Sequence, residues 1–110
     1  MSNKNKIKDK VSVIMPIYNT GNLFKESYES IVKQNLQDFE LVVVDDGSIN
    51  DTYEVIKELA ASDNRIKLYK NEKNSGVAFT RNFAINKAEG EYLAFLASRS
   101  RRGLFSHEDP

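Results

Sequence analysis

Two stretches, "VSVIMPIYN" (Val11 to Asn19) and "FELVVVDDGS" (Phe39 to Ser48), are apolar runs rich in β-branched residues that stop abruptly at polar turns. Such a run has no polar alternation and so no face to give to water, and it reads as a strand covered on both sides. What lies between and after the runs must supply the covers. From Asn22 onward, Leu23, Phe24, Tyr28, Ile31 and Val32 recur at helical spacing, a stripe that one sheet face can bury. Asp51 or Thr52 is placed to cap a second helix, whose Val55, Ile56, Leu59 and Ala60 form its inner face. "RIKLYKN" alternates as a strand nearer the sheet edge does. After the loop "EKNSG", a third helix runs through "VAFTRNFAINKAE" to Gly90, read as a left-handed terminator. "EYLAFL" is then a fourth strand, expected to be buried.

This order of strands and helices predicts an α/β fold. The expected form is a Rossmann-like three-layer α/β/α arrangement with a parallel sheet of about four strands and right-handed crossovers. The 110 residues suffice for one domain. Residues 1–9 are expected to be a polar tail, 10–96 the domain, and 97–110 a tail of different character. In open sheets of this kind ligands bind beyond the carboxyl ends of the strands, where strand order reverses. Four ends therefore matter: Pro16 to Asn19, Asp45 to Ser48, Asn71 to Gly76, and Ala97 onward.

Composition removes several function classes. Sixteen basic residues balance sixteen acidic ones, so no overall field draws in nucleic acid. The absence of cysteine excludes thiolate chemistry and disulfides. The polar, lysine-rich start has no apolar run behind it that would make a signal peptide or membrane span. The expected location is the cytoplasm, including a peripheral position at the inner face of the membrane.

At the strand ends, Asp45 and Asp46 can start a turn, or can accept hydrogen bonds from a ligand in the crevice. Tyr18 offers a ring face on which a base stacks, at about 1–3 kcal/mol per base. Gly76 lets backbone approach a phosphate, and Arg81, one turn into the third helix, suits phosphate oxygens. A receiver-like phosphoacceptor domain also carries adjacent aspartates, but at the end of its first strand with another aspartate ending the third. Here the pair ends the second strand and the third ends in Lys70 and Asn71.

Taken together, "VSVIMPIYN", "FELVVVDDGSINDT" and "NSGVAFTRNFAINKAEGEYLAFL" resemble, in content and spacing, the nucleotide-binding half of the family 2 glycosyltransferases. These are inverting, hexosyltransferase-type enzymes of the GT-A fold, and the resemblance runs from Lys10 to Leu96. It implies a nucleotide-diphospho-sugar donor, UDP-linked before others, and transfer to a cell-surface polysaccharide or related acceptor. It also implies that Pro16, Ile17 and Tyr18 line the nucleotide pocket, that Asp45 and above all Asp46 meet the base, and that Gly76 and Arg81 lie beside the nucleotide.

After the strand matching "GEYLAFL", members of the family place an Asp-x-Asp motif that holds Mn²⁺ or Mg²⁺ on the diphosphate. The cation stabilises charge gathering on the leaving group. Here Ala97 and Arg99 stand at those positions, so no metal ligand is expected. The family's catalytic base, an aspartate that deprotonates the acceptor hydroxyl, lies in a following half that these residues do not match. Arg99, Arg101 and Arg102 suit a diphosphate chemically. Residue usage argues against that reading: residues 1–96 hold eleven lysines, eleven asparagines and two arginines, while residues 97–110 hold three arginines and neither of the others. The switch favours an altered reading frame. The expectation is thus a truncated, inactive glycosyltransferase half, with self-association through the apolar surface its second half would cover. The alternative is a non-catalytic nucleotide-binding or regulatory module.

Overall fold

The computed structural model describes residues 6–34 and 38–96. Its elements are β1 (Ile7–Ile17), α1 (Leu23–Lys33), β2 (Phe39–Asp45), α2 (Thr52–Ser62), β3 (Ile66–Lys70), α3 (Val77–Lys87) and β4 (Gly90–Phe95). All four strands are parallel, in the order β3-β2-β1-β4. This is the α/β arrangement that the alternation predicts.

The two apolar runs are the two central strands. Their side chains alternate between faces, and both faces are covered. Val13, Met15 and Ile17 of β1, with Leu41 and Val43 of β2, pack with Phe24 and Ile31 of α1 and Ile56 of α2. Ile14, Val42 and Val44 pack on the other face against Ala84 of α3 and Ala88 just after it. The small residues of α3 let that helix lie close over β1 and β2. Tyr69 meets Phe83 edge-on there, with centroids 5.7 Å apart. Of the expected α2 face only Ile56 is fully buried, and Val32 of α1 is exposed.

Several boundaries differ from expectation, each for a physical reason. β1 begins at Ile7, inside the stretch expected to be a tail, because Ile7 pairs with Gly90 of β4. The register then shifts, since Val11 faces Tyr92. Asp9 takes up the extra length with φ of 64° and donates its N–H to Glu91 Oε1 at 2.8 Å. At the start of α2 neither expected residue caps: Asn50 Oδ1 accepts the Thr52 N–H at 3.0 Å. Helix α3 ends because Ala88 turns extended, with φ −69° and ψ 138°. Gly90 is therefore not its left-handed cap. It is the first residue of β4, and a Cβ there would lie 2.6 Å from the Lys10 carbonyl oxygen and 2.7 Å from Ser12 Oγ.

That close approach belongs to a buried polar latch. Gly90 N–H donates to Ser12 Oγ at 2.8 Å, Ser12 Oγ donates to Glu40 Oε2 at 2.6 Å, and Glu89 N–H donates to the same oxygen at 2.7 Å. Crowding this site is expensive because backbone must shift. Gly90→Ala is expected to destabilise the fold by about 2 kcal/mol, within the range for overpacking, read as a lowered urea midpoint.

Strand β4 is the largest departure. It was expected to be buried, but it is an edge strand with α3 lying over β1 and β2 rather than over it. Tyr92, Leu93 and Phe95 are exposed, as is Ile7 beside them.

Below β3, Asp63 collects donors from three directions. Arg65 reaches it with Nε at 2.9 Å and Nη2 at 2.8 Å, and the Tyr28 hydroxyl donates at 2.6 Å. The Arg65 guanidinium also stacks 4.5 Å from the Phe39 centroid. The Arg65 bonds and the Tyr28 hydroxyl hold the Asp63 carboxyl well below the usual carboxylate range. A depressed folded-state pKa contributes stability that is present above the unfolded value, about 3.9 for aspartate, and that is lost as pH falls towards the folded one. Asp63→Asn is expected to cost about 1–2 kcal/mol at pH 7 and to flatten the loss of stability below pH 4, as urea titrations across pH would show.

Candidate functional site

The carboxyl ends of β1 and β2 are stitched together by short polar bonds. The Asp46 N–H continues the ladder to the Ile17 carbonyl at 2.9 Å. Beyond it, Asn19 N–H donates to Ser48 Oγ at 2.8 Å, Ile49 N–H to Asn19 Oδ1 at 3.0 Å, and Gly21 N–H to Thr52 Oγ1 at 2.8 Å. Asn19 holds a left-handed φ of 55°, which turns the chain out of β1 and is tolerated by asparagine. Pro16 fits in a central strand because its missing N–H falls on the β4 side. There the Ile14 carbonyl takes the Leu96 N–H, and the ladder to β2 loses nothing.

Adjacent residues on a strand face opposite ways, and this separates the aspartate pair. Asp45 shares the α1 and α2 side with Leu41 and Val43, whereas Asp46 points to the α3 side. Asp45 is fully buried, and its Oδ1 accepts both the N–H and the hydroxyl of Ser48. Its Oδ2 is buried without a hydrogen-bond partner among the described residues, as is Thr20 Oγ1. Burial pushes the Asp45 carboxyl up, against the Ser48 bonds and the Lys70 charge. With pKa raised, its stability contribution is present below the ordinary carboxylate value and lost as pH rises through the folded one, opposite in sign to that of Asp63.

Asp46 is also fully buried, but both of its oxygens are hydrogen-bonded. Its Oδ1 accepts Asn71 Nδ2 at 2.8 Å and Ser75 N–H at 2.7 Å, while Oδ2 accepts Gly76 N–H at 3.0 Å. The Asn74 side chain adds a bond to the Asp46 carbonyl. The carboxylate thus fastens the 71–76 loop onto the end of β2. Gly76 ends that loop with φ of 98°, and nothing lies within 4 Å of where a Cβ would be. Helix α3 starts at the next residue, and Arg81 on it is half-buried with no ion pair among the described residues.

Of the residues singled out in the sequence, Asp46 and Gly76 are brought into direct contact, and Pro16, Tyr18 and Arg81 lie at the same end of the sheet. Ile17 is fully buried with its side chain in the core beside Phe24. Only its backbone bears on the site. Ala97, Arg99, Arg101 and Arg102 lie outside the described residues. Sequence reasoning missed Asn71 and Thr80, the buried polar pair that braces Asp46. A signal existed for Thr80: it stands four residues before Ala84 and eight before Ala88, on the stripe that α3 buries.

The model of the family described as glycosyl transferase family 2 matches residues 12–98. The chain belongs to this family. Family 2 membership is echoed by solved structures. Staphylococcus aureus TarS 1-349 in complex with UDP matches with a TM-score of 0.73 and 37% identity, over 81% of this chain and 27% of its own. A mannosyltransferase from Pyrobaculum calidifontis, PcManGT, solved with GDP-Man and Mn²⁺, matches with a TM-score of 0.74 and 28% identity, over 80% of this chain and 27% of its own. Among curated relatives, Escherichia coli WfgD is named a UDP-Glc:alpha-D-GlcNAc-diphosphoundecaprenol beta-1,3-glucosyltransferase. It is 44% identical over 88 residues, 80% of this chain and 34% of its own length. This family 2 chain therefore spans about a third or less of each. No helix among the described residues is long and apolar enough to cross a membrane.

A divalent cation of the kind the family implies needs several carboxylates in one place. No group of three or more His, Cys, Asp or Glu among the described residues forms such a site, and Ala97 and Arg99 follow β4 in sequence. Among the described residues no such donor set is present, and no step is routed through a metal.

Proposed function

We propose that these residues form the nucleotide-binding half of an inverting sugar transferase. Its donor is a UDP-linked sugar, and its acceptor is a hydroxyl on a cell-surface polysaccharide or a lipid-linked precursor of one. The observation that carries the reading is the Asp46 hub. A strand-end carboxylate, the Gly76 turn and the first turns of α3 meet at the carboxyl edge of a parallel sheet, the place where such folds take ligands. The UDP complex of TarS and the UDP-Glc donor in the name of WfgD support the choice of nucleotide. Tyr18 supplies the stacking face and Arg81 the phosphate partner in this reading.

Transfer itself is another matter. With Ala97 and Arg99 in place of a carboxylate pair, no such pair stands there to hold the divalent cation that offsets charge on the leaving diphosphate. Binding is therefore weak, and the 110-residue chain transfers no sugar, which makes it a nucleotide-binding module in practice. Titrating UDP while following backbone amide resonances tests this. Shifts are expected at Tyr18, Asp46, Gly76 and Arg81, with no product from UDP-sugars and a hydroxyl acceptor. Silence at those four residues, or robust transfer, would overturn the reading.

A further inference from the structure

Among the described residues the sheet ends at β4, and the outer edge of that strand is bare. Tyr92 is 54%, Leu93 42% and Phe95 55% exposed. The opposite edge is guarded. There β3 carries exposed Lys67 and Lys70, the kind of charge that keeps an edge strand from pairing with another chain. In β4 the only charged side chain is Glu91, which the Asp9 N–H already holds at 2.8 Å.

One bond fixes which backbone groups face out. The Leu96 N–H donates inward, to the Ile14 carbonyl at 3.0 Å. Backbone groups of successive strand residues point to alternate sides, so Tyr92 and Ala94 also turn to β1, while Glu91, Leu93 and Phe95 present theirs outward. Side chains alternate between the two faces as well. Leu93 and Phe95 stand level with Ser12 and Ile14 on the α3 side, and Tyr92 and Ala94 with Val11 and Val13 on the other.

We propose that this edge takes a second copy of the chain, β4 against β4, antiparallel about a two-fold axis between the two Ala94 residues. Such an axis, normal to the sheet, keeps every residue on its own face. With Ala94 opposite its copy, Leu93 meets Phe95 and Tyr92 meets Leu96, and each of these contacts is apolar. Each Leu93–Phe95 pair exchanges both of its N–H···O=C bonds. Moving the axis to Leu93 would set Glu91 against Phe95, and moving it to Tyr92 would set Glu91 against Leu93, so charge selects the register. Area sets the strength. A buried ring contributes about 150–250 Å², so half-exposed Tyr92 and Phe95, with Leu93, offer roughly 300 Å² per copy. A standard interface buries about 800 Å² per partner. The dimer is therefore weak and reversible.

Sedimentation of the full chain tests this, with the average mass expected to rise with concentration towards that of a dimer. Leu93→Lys puts a lysine into both Leu93–Phe95 pairs and should weaken association by roughly tenfold, the loss of two cross-strand pairs. The chain has no cysteine, so a single thiol can report the register. Across a non-hydrogen-bonded pair the Cα atoms lie about 4.5 Å apart, within reach of a disulfide. Oxidation should therefore link Ala94→Cys into dimers. Leu93→Cys, a diagonal neighbour of its copy at about 7–8 Å, should stay unlinked. Linkage of Leu93→Cys in place of Ala94→Cys overturns the proposal, as does a monomer at every concentration up to about 1 mM. In such a monomer, protected Leu93 and Phe95 amides would mark residues of the same chain as the occupant. A dimer that Leu93→Lys leaves unweakened is held by another surface or by exchange of β4, and overturns it too. Should Leu93→Lys fail to fold, the two cysteine variants decide.

Discussion

Replacing Asp46 with alanine is expected to unfasten the loop between β3 and α3 and to abolish nucleotide binding. Three donors, from Asn71, Ser75 and Gly76, lose their acceptor at once. Stranding a buried donor costs about 1–3 kcal/mol. The Ser75 and Gly76 amides sit in an exposed loop and recover water, whereas Asn71 is buried. The net loss is expected at about 3 kcal/mol, which is a urea-midpoint shift on the order of 1–2 M for a small domain. Hydrogen exchange gives the finer check. The Ser75 and Gly76 amides should lose protection while the β1 and β2 ladder keeps it. Unchanged protection at those two amides would show that the loop is held by something else.

Gly47→Ala is the second large effect, and it acts at the same junction from the backbone side. Gly47 has φ of 74°, and a Cβ there would stand 2.6 Å from both Asn74 N and Lys73 C. The left-handed conformation alone costs a non-glycine residue about 1–2 kcal/mol. The clash is with backbone, which has no rotamer to yield, and overpacking of that kind adds about 1–3 kcal/mol. A total near 3 kcal/mol is expected, visible in the urea midpoint. Unlike Asp46→Ala, this change leaves the carboxylate in place, so UDP binding should weaken by displacement of the loop instead of vanishing. A fully stable Gly47→Ala variant would mean that the 73–74 backbone yields to the added methyl.

The fold was largely legible because its two central strands are covered on both faces and so are written as continuous apolar runs. Val42 and Val44 turn to α3 while Leu41 and Val43 turn to α1 and α2, and the only polar residues within the two apolar runs, Ser12 and Glu40, bond to each other. β4 was misread for a related reason. "EYLAFL" has the same apolar density, but composition reports what a strand can bury, not what lies over it, and here α3 covers its neighbours. Gly90 looked like a helix terminator because glycine serves two needs that a sequence does not separate, a left-handed φ and room for a passing carbonyl. The aspartate pair was legible as a site but not as two different residues. Only the pleat shows that Asp45 turns to Ser48 and Asp46 to the 71–76 loop. Asn71 and Thr80 escaped notice because their partners are set by the closure of α3 onto the sheet.

Strand order also governs how the molecule must assemble. β1, β2 and β3 follow one another in sequence and in space, so each joins the sheet soon after it is made. β4 has to return past all of them to the far side of β1, where the Gly90 amide finds a serine 78 residues earlier in the chain. Contacts of that separation form late, because loop closure must be completed before they stabilise anything. Until then one flank of the central strand has open backbone groups that any β4 can satisfy, including that of another copy. Exchange of β4 between two chains would recreate every bond of the Ser12 latch, so a swapped β4 would compete with the chain's own at this step.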